Sequence, residues 1–212
     1  MTSPRPEWEH AQVLEQGFWQ HFFTERNGQH EVMANLDYGH NVAYLPFVAR
    51  HIGFRLPGQV VVEVGCGPCG LAPWLHCCTR YGVDPLRDFY AQWVNYSWLG
   101  YDHVYDMQAE SITSLPKRPN LVMCLNGLDH FDDVPTAIGA MAGWCQKDGR
   151  LFLAYDMRFR ATALHPSVVM PPLTATVLGD GWELLAADSV DDFSREPDAV
   201  AGRRLELWVK RR

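Results

Sequence analysis

The hydrophobic residues of the first 57 positions recur at helical spacing. Ala11, Leu14, Phe18 and Phe22 lie three or four residues apart, as on one face of a helix. The pair Asn27-Gly28 predicts the end of this helix, and a second helical stretch is predicted from about residue 30. Segment 55–58 (RLPG) predicts a turn. Residues 1–57 are therefore expected to form an N-terminal helical cap, or lid.

From residue 58 onward, short apolar runs alternate with helical patterns. The runs predict strands over residues 59–64, 80–83, 103–107, 120–126, 150–155, 182–187 and 204–210. Helices are predicted over residues 70–78, 85–99, 134–145 and 171–178, the third of them capped by Asp132 or Asp133. This alternation is typical of a parallel sheet covered by helices on both faces. Ligands of such sheets bind beyond the carboxyl ends of the strands, so residues 58–212 are predicted to form one α/β core with its chemistry at that edge.

The segment VVEVGCGPCG (61–70) follows the first predicted strand and fits several kinds of site. Its Cys-Gly-Pro-Cys core is found in redox proteins, whose reactive thiol needs a lowered pKa. The carboxylate of Glu63 would instead raise the pKa of Cys66, which disfavours a redox site. Its G-x-G-x-x-G spacing, with Asp84 further on, fits a dinucleotide. A pyrophosphate is an anion, however, and Glu63 would stand close to it. A cationic ligand such as a sulfonium matches this carboxylate better.

Five segments together resemble the class I S-adenosylmethionine-dependent methyltransferases. They are VVEVGCGPCG, GVDP (82–85), QAESITSLP (108–116), NLVMCLNGLDHFDDV (120–134) and DGRLFLAYD (148–156). They cover about half the chain and follow the order found in that family. The resemblance implies a Rossmann-like, seven-stranded, mostly parallel sheet with helices on both faces and an N-terminal helical cap. The last two strands are expected to form an antiparallel hairpin.

The resemblance also implies which residues contact the cofactor S-adenosyl-L-methionine. Glu63, Gly65, Cys66 and Gly67 would surround its methionine part, and Asp84 with Pro85 would hold the ribose hydroxyls. Gln108 and Ala109 would border the adenine, although the family more often has Asp where Gln108 stands. Asn126 would face the sulfonium. Tyr38, in the segment LDYGHN (36–41), is expected to touch the methionine carboxylate from the lid.

His130 follows the fourth predicted strand and is the candidate catalytic residue. Methyl transfer from a sulfonium is an in-line displacement that depends mainly on positioning the acceptor. A hydroxyl or thiol acceptor must also lose a proton, and a histidine near its ordinary pKa suits a general base. The alternative is that His130 only packs or orients its loop. His40, Arg158 and His165 are candidate contacts of the acceptor. The alternative for Arg158 and His165 is that they belong to a connecting segment on the surface.

No metal is expected. Asp129, Asp133 and Asp156 suggest the magnesium site of catechol-type O-methyltransferases, but acids at strand ends are more often caps. The cysteines at positions 66, 69, 77 and 78 are spaced too irregularly to favour a zinc site.

Composition narrows the choice of partner. The 212 residues are 47% apolar and carry a net charge of −7, which disfavours nucleic acid. No segment has the length and apolarity of a membrane span, and a cytoplasmic location is expected. The predicted function is methyl transfer to a small organic acceptor through an oxygen, sulfur or nitrogen nucleophile. The alternatives are an NAD(P)-dependent oxidoreductase and a non-catalytic, cofactor-binding regulator.

Overall fold

The computed structural model describes residues 5–25, 43–68, 70–190 and 200–212. Its helices are α1 (Pro6–Glu25), α2 (Leu45–His51), α3 (Arg87–Tyr90), α4 (Val134–Trp144) and α5 (Pro171–Leu178). Its strands are β1 (Arg55–Val64), β2 (His76–Val83), β3 (His103–Tyr105), β4 (Leu121–Leu125), β5 (Arg150–Arg158), β6 (Trp182–Val190) and β7 (Val200–Lys210). Short 3-10 turns lie at Ala72–Trp74, Ala109–Ser111, Leu128–His130 and Gly179–Gly181.

The seven strands form one sheet in the order β3-β2-β1-β4-β5-β7-β6. Strands β1 to β5 pair in parallel, whereas β7 is antiparallel to both β5 and β6. The predicted fold class is therefore confirmed, including the antiparallel pairing of the last two strands. The carboxyl ends of β1, β2 and β4 meet at one edge of the sheet, on either side of the point where the strand order reverses.

Hydrophobic residues cover both faces of the sheet because successive residues of a strand point to opposite sides. On one face, Val61 and Met123 belong to the same buried cluster as Phe47 of α2. On the other face, Val62 packs in a cluster with Ile138 of α4. Burying each such side chain stabilises the fold by roughly 1.5–3 kcal/mol. Helix α4 begins where predicted, since the Asp133 side chain accepts a hydrogen bond from the Thr136 amide at 3.0 Å.

Several local predictions are wrong. The expected turn at residues 55–58 is the first part of β1, which pairs with β2 on both sides of an irregularity between Leu56 and Val60. The predicted boundary between residues 57 and 58 therefore falls inside a strand. The helix predicted over 70–78 is reduced to the turn Ala72–Trp74, and the residues after it extend β2. Pairing with β1 outweighs the local helical pattern there. Of the helix predicted over 85–99, only Arg87–Tyr90 is α-helical.

The buried face of α1 also differs from the predicted stripe. Ala11 is buried as expected, but Leu14 is 38% exposed and Phe18 is 51% exposed. The helix instead buries Trp8 and Phe23, together with the polar Gln12. It lies on the rim of a cavity, so its inward face carries polar residues that a simple hydrophobic pattern assigns to solvent. None of the helices within the described residues is long and apolar enough to cross a membrane.

Candidate functional site

A cavity of about 290 Å³ lies beyond the carboxyl ends of β1, β2 and β4. The last residue or the following turn of each strand contributes to its floor, and residues of α1 form part of its wall. The α1 residues that line the cavity are Trp8, Gln12, Glu15, Phe18 and Trp19. Pockets for small ligands start near this size. Its place at the reversal of strand order is where open α/β sheets bind ligands.

The turn after β1 has a backbone that only glycine adopts without strain. Gly65 has φ 66° and Gly67 has φ 54°, both in the left-handed region. The Gly65 amide donates to Val83 O at 2.8 Å, and the Tyr96 hydroxyl donates to Gly67 O at 2.8 Å. A Cβ on Gly67 would meet no heavy atom of the described residues within 4 Å. The two hydrogen bonds therefore fix the turn, and the space beside Gly67, which lines the cavity, is open.

Glu63 is buried, and its carboxylate organises the rest of this turn. The amides of Leu71 and Ala72 and the hydroxyl of Tyr101 each donate to it at 2.8 Å. Burial raises the pKa of Glu63, and the two amides oppose that rise. A Cβ on Gly70 would overlap with this carboxylate. Glu63 lines the cavity, but three protein donors already occupy its oxygens.

Cys66 lies beneath the same turn. A Cβ on Gly82 would come 2.9 Å from the Cys66 sulfur, so the thiol is packed tightly against β2. Burial raises the pKa of this thiol well above its ordinary value, and the charges of Asp84 and Glu63 raise it further. The residue is therefore a protonated thiol and a poor redox nucleophile. Cys69, the second cysteine of the motif, lies outside the described residues.

Asp84 follows β2 and faces the glycine turn. Its two carboxylate oxygens accept 2.8 Å hydrogen bonds from the amides of Gly67 and Leu86. Burial and the nearby charge of Glu15 raise the pKa of Asp84 to about 7, against the lowering effect of those two amides. Both oxygens keep a further lone pair, and Asp84 and Pro85 both line the cavity.

Gln108 and Ala109 form another part of the wall. The Gln108 Nε2 atom is buried and has no hydrogen-bond partner within the part of the chain that the structure describes. A buried donor without a partner costs about 1–3 kcal/mol. A ligand acceptor placed in the cavity would remove that cost.

Asn126 directly follows β4 and adopts the left-handed conformation, with φ 55°. Arg203 of β7 donates to its side-chain oxygen at 2.7 Å. The same guanidinium contacts Asp156 at 2.8 Å and the Tyr44 hydroxyl at 3.0 Å. Arg203 therefore holds Asn126 at the cavity.

Helix α1 docks on the loop after β4. The Trp8 indole donates to His130 O at 2.8 Å, and Arg5 pairs with Asp132 at 2.8 Å. Glu15 Oε2 pairs with His130 Nδ1 at 3.1 Å. The Tyr90 hydroxyl donates to the other Glu15 oxygen at 3.3 Å. Sequence reasoning missed Glu15, which had no local signal beyond a charge on a helix.

His130 lines the cavity, and its charge depends on two carboxylates. Burial alone would lower its pKa, but Glu15 and Asp129 outweigh that effect and raise the pKa to about 9. At neutral pH the imidazole therefore carries a proton in this arrangement. A general base must first be neutral, so removal of a proton by His130 requires Glu15 to move or to be neutralised. The catalytic role stays a prediction.

Of the two predicted acceptor contacts within the described residues, one lines the cavity and the other does not. His165 lines the cavity, and its ring packs against that of His130 with centroids 4.5 Å apart. Arg158 is not among the described residues that line the cavity. Its buried guanidinium pairs with Asp129 at 2.5 Å and lies 3.9 Å from Asp156. Tyr38 and His40 lie outside the described residues.

Solved structures with the same fold are numerous. NodS, an N-methyltransferase from Bradyrhizobium japonicum WM9 solved with S-adenosyl-L-homocysteine, is 16% identical, with a TM-score of 0.57 over 72% of this chain and 78% of NodS. ChlM, the magnesium protoporphyrin IX methyltransferase of Synechocystis PCC 6803 with bound SAM, is 19% identical, with a TM-score of 0.57 over 80% and 77%. YcgJ from Bacillus subtilis is 14% identical, with a TM-score of 0.61 over 81% and 99%. At these identities the likeness concerns the fold alone.

Comparison of the amino-acid sequence identifies the family as well as the fold. A search of curated protein sequences finds no match. Residues 14–186, however, match the model of a protein family described as "Methyltransferase domain". This match spans most of the chain, including the second half of α1 and every strand that borders the cavity. The chain therefore belongs to the methyltransferase-domain family and is a class I S-adenosyl-L-methionine-dependent methyltransferase.

Proposed function

We propose that this enzyme methylates a small organic acceptor inside the cavity covered by α1. The observation that carries the proposal is the docking of α1 on the His130 loop, through the Trp8 indole and the Glu15 carboxylate. This contact makes the rings and polar groups of α1 part of the cavity wall. A partly apolar cavity of about 290 Å³ suits a small ligand better than a macromolecule.

The residues around the glycine turn fit S-adenosyl-L-methionine. Asp84 would accept the two ribose hydroxyls with its remaining lone pairs. Gln108 would use its partnerless amide nitrogen towards an adenine ring nitrogen, and Ala109 would border the ring. The open space above Gly67 would admit the methionine part. Glu63 would shape the turn rather than contact the cofactor, because three protein donors occupy it.

The acceptor would lie between α1, His130 and His165. When bound, the cofactor supplies a methyl group on a positively charged sulfur, whose bond to carbon breaks as the acceptor's lone pair forms the new bond. The chain's contribution is to hold the acceptor in line and to keep water out. Trp8 and Phe18 provide apolar wall, while Asn126, fixed by Arg203, orients a polar group near the strand ends.

The acceptor class is tested with methyl-labelled S-adenosyl-L-methionine and an extract of the source cells. After reaction, the extract is separated by size into protein, nucleic-acid and small-molecule fractions. We expect the label in the small-molecule fraction, and less of it with Asp84→Ala because cofactor binding is weakened. Label in the protein or nucleic-acid fraction would contradict the proposal.

The role of α1 is tested separately with Trp8→Phe, which keeps a ring but removes the donor to His130 O. Loss of this hydrogen bond costs about 1 kcal/mol, so turnover is expected to fall several-fold while S-adenosylhomocysteine binding stays nearly constant. The matched control is Trp98→Phe, because Trp98 is 87% exposed and outside the cavity wall. Equal effects of the two substitutions would exclude α1 as a lid.

A further inference from the structure

Three side chains able to ligate a metal ion converge at the acceptor end of the cavity. Asp129 and His130 come from the turn Leu128–His130, and His165 comes from the segment after β5. One potential ligand atom of each lies within 4.8 Å of those of the other two. This convergence is distinct from the acids considered from the sequence, because only Asp129 belongs to both sets.

One carboxylate oxygen of this cluster is buried without a hydrogen-bond partner among the described residues. The Asp129 side chain is almost inaccessible to solvent; its Oδ2 pairs with Arg158, while its Oδ1 has no partner among the described residues. His130 Nδ1, by contrast, is paired with Glu15 Oε2 at 3.1 Å. A buried carboxylate oxygen left without a partner costs more than a neutral group would. A cation bound here would remove that cost.

His165 is oriented as a ligand would be. Its Nδ1 lies 3.3 Å from the Thr162 hydroxyl, and its amide donates to the same oxygen at 3.2 Å. The ring therefore turns Nε2 towards Asp129, at 3.9 Å from Oδ2. Metal-binding histidines are commonly held in this way by a partner on the other ring nitrogen.

We infer that Asp129, His130 and His165 form a binding site for a divalent first-row transition metal ion. Metal–ligand distances of about 2.0–2.2 Å put the ligand atoms of one ion roughly 3–3.5 Å apart, so atoms now within 4.8 Å of one another would have to draw closer on binding. Two imidazoles and one carboxylate favour zinc, manganese, iron, cobalt or nickel over magnesium or calcium. Arg158 orients the Asp129 carboxylate, and Glu15 adds a second negative charge beside His130.

The site faces the cavity, since both histidine rings line it. Three protein ligands leave coordination positions open. An acceptor with an oxygen or nitrogen donor can fill one of them and be fixed beside the cofactor. This use of the metal rests on the proposed function, whereas metal binding itself does not.

The test is a titration of the metal-free, full-length protein with Co²⁺, followed by its visible absorption spectrum. We expect one ion per chain, with d–d bands and without the intense near-ultraviolet band of cobalt–thiolate bonds. His165→Ala should weaken binding at least about tenfold, since even removal of an outer partner has that effect. Asp129→Asn should do the same, and circular dichroism checks that each variant is folded.

The matched control is His21→Ala. His21 lies 3.4 Å from Glu25 on the exposed side of α1 and could bind an ion at the surface. Its removal should leave cobalt binding unchanged. A thiolate band, equal binding by wild type and His165→Ala, loss of binding in His21→Ala, or no binding below millimolar cobalt would overturn the inference. S-adenosylhomocysteine affinity is measured on the same samples, so that a failure of metal binding is separated from a failure of the cofactor site.

Discussion

Cofactor affinity should depend on pH through Asp84, and Glu15 should set where that dependence falls. Asp84 has a pKa of about 7 because it is buried and because Glu15 adds a nearby negative charge. Its carboxylate form can accept both ribose hydroxyls, whereas the protonated form loses acceptor capacity. Protonation therefore competes with cofactor binding, and affinity is lost as pH falls through the pKa.

The size of this effect follows from the linkage of proton and ligand binding. If only the carboxylate form binds, the apparent Kd rises by a factor of one plus the ratio of protonated to ionised Asp84. With a pKa of about 7, the factor is about 1.1 at pH 8 and about 11 at pH 6. The loss between these pH values is about tenfold, or about 1.4 kcal/mol. Glu15→Gln removes one charge that raises the pKa, so the loss at pH 6 should shrink.

The assay is calorimetric titration with S-adenosylhomocysteine at several values between pH 5.5 and 8, with circular dichroism to confirm folding at each. Glu7→Gln is the matched control, because it makes the same charge change on the exposed side of α1. Affinity that does not change between pH 8 and pH 6 would refute the role of Asp84. A shift of the pH profile by Glu7→Gln equal to that by Glu15→Gln would refute the local coupling.

Three further predictions concern the turn after β1. Glu63→Ala leaves three buried donors without their acceptor and should lower the free energy of unfolding by roughly 3 kcal/mol in urea titrations. Tyr101→Phe removes only one of these hydrogen bonds and should cost about 1 kcal/mol. Near-equal losses for the two variants would argue against the organising role of Glu63. Gly67→Ala, at φ 54°, should cost about 1 kcal/mol in the same titration, and no loss would mean that the turn relaxes. Cys66 should resist iodoacetamide in the native protein at pH 8, because burial first and nearby carboxylates second raise its pKa; rapid labelling in mass spectra would contradict that environment.

The sheet was predictable because its strands carry their own signal. The segment around β4 is an unbroken apolar run, and all five residues of the strand are buried. The N-cap of α4 was equally local, since Asp133 and Thr136 are three residues apart. Local pattern failed where pairing partners decide the structure. Residues after Trp74 extend β2 because β1 offers backbone groups to pair with, a fact that no window of sequence contains.

Among the described residues, all the predicted cofactor contacts line the cavity, whereas only one of the two predicted acceptor contacts does. Glycines and an acid after two parallel strands give a recognisable spacing, and the structure places Gly67 and Asp84 in direct contact. The proposed acceptor side depends on residues far apart in sequence, such as Trp8 and His130, which are separated by 122 positions. In the sequence, Arg203 stands beside Arg204 and gives no sign of its partner. Only the antiparallel register of β7, which sets it opposite Asp156, reveals its partner.

The structure also explains why the segment VVEVGCGPCG fits a dinucleotide fingerprint. In such a fingerprint, glycine lets the chain approach a pyrophosphate or pack closely against a strand. Here Gly70 is required for a different reason, because a side chain there would overlap with the carboxylate of Glu63. That carboxylate in turn needs the amides of Leu71 and Ala72. The third glycine is thus needed because the buried Glu63 carboxylate fills the space beside it. The G-x-G-x-x-G spacing therefore arises here without any phosphate to bind.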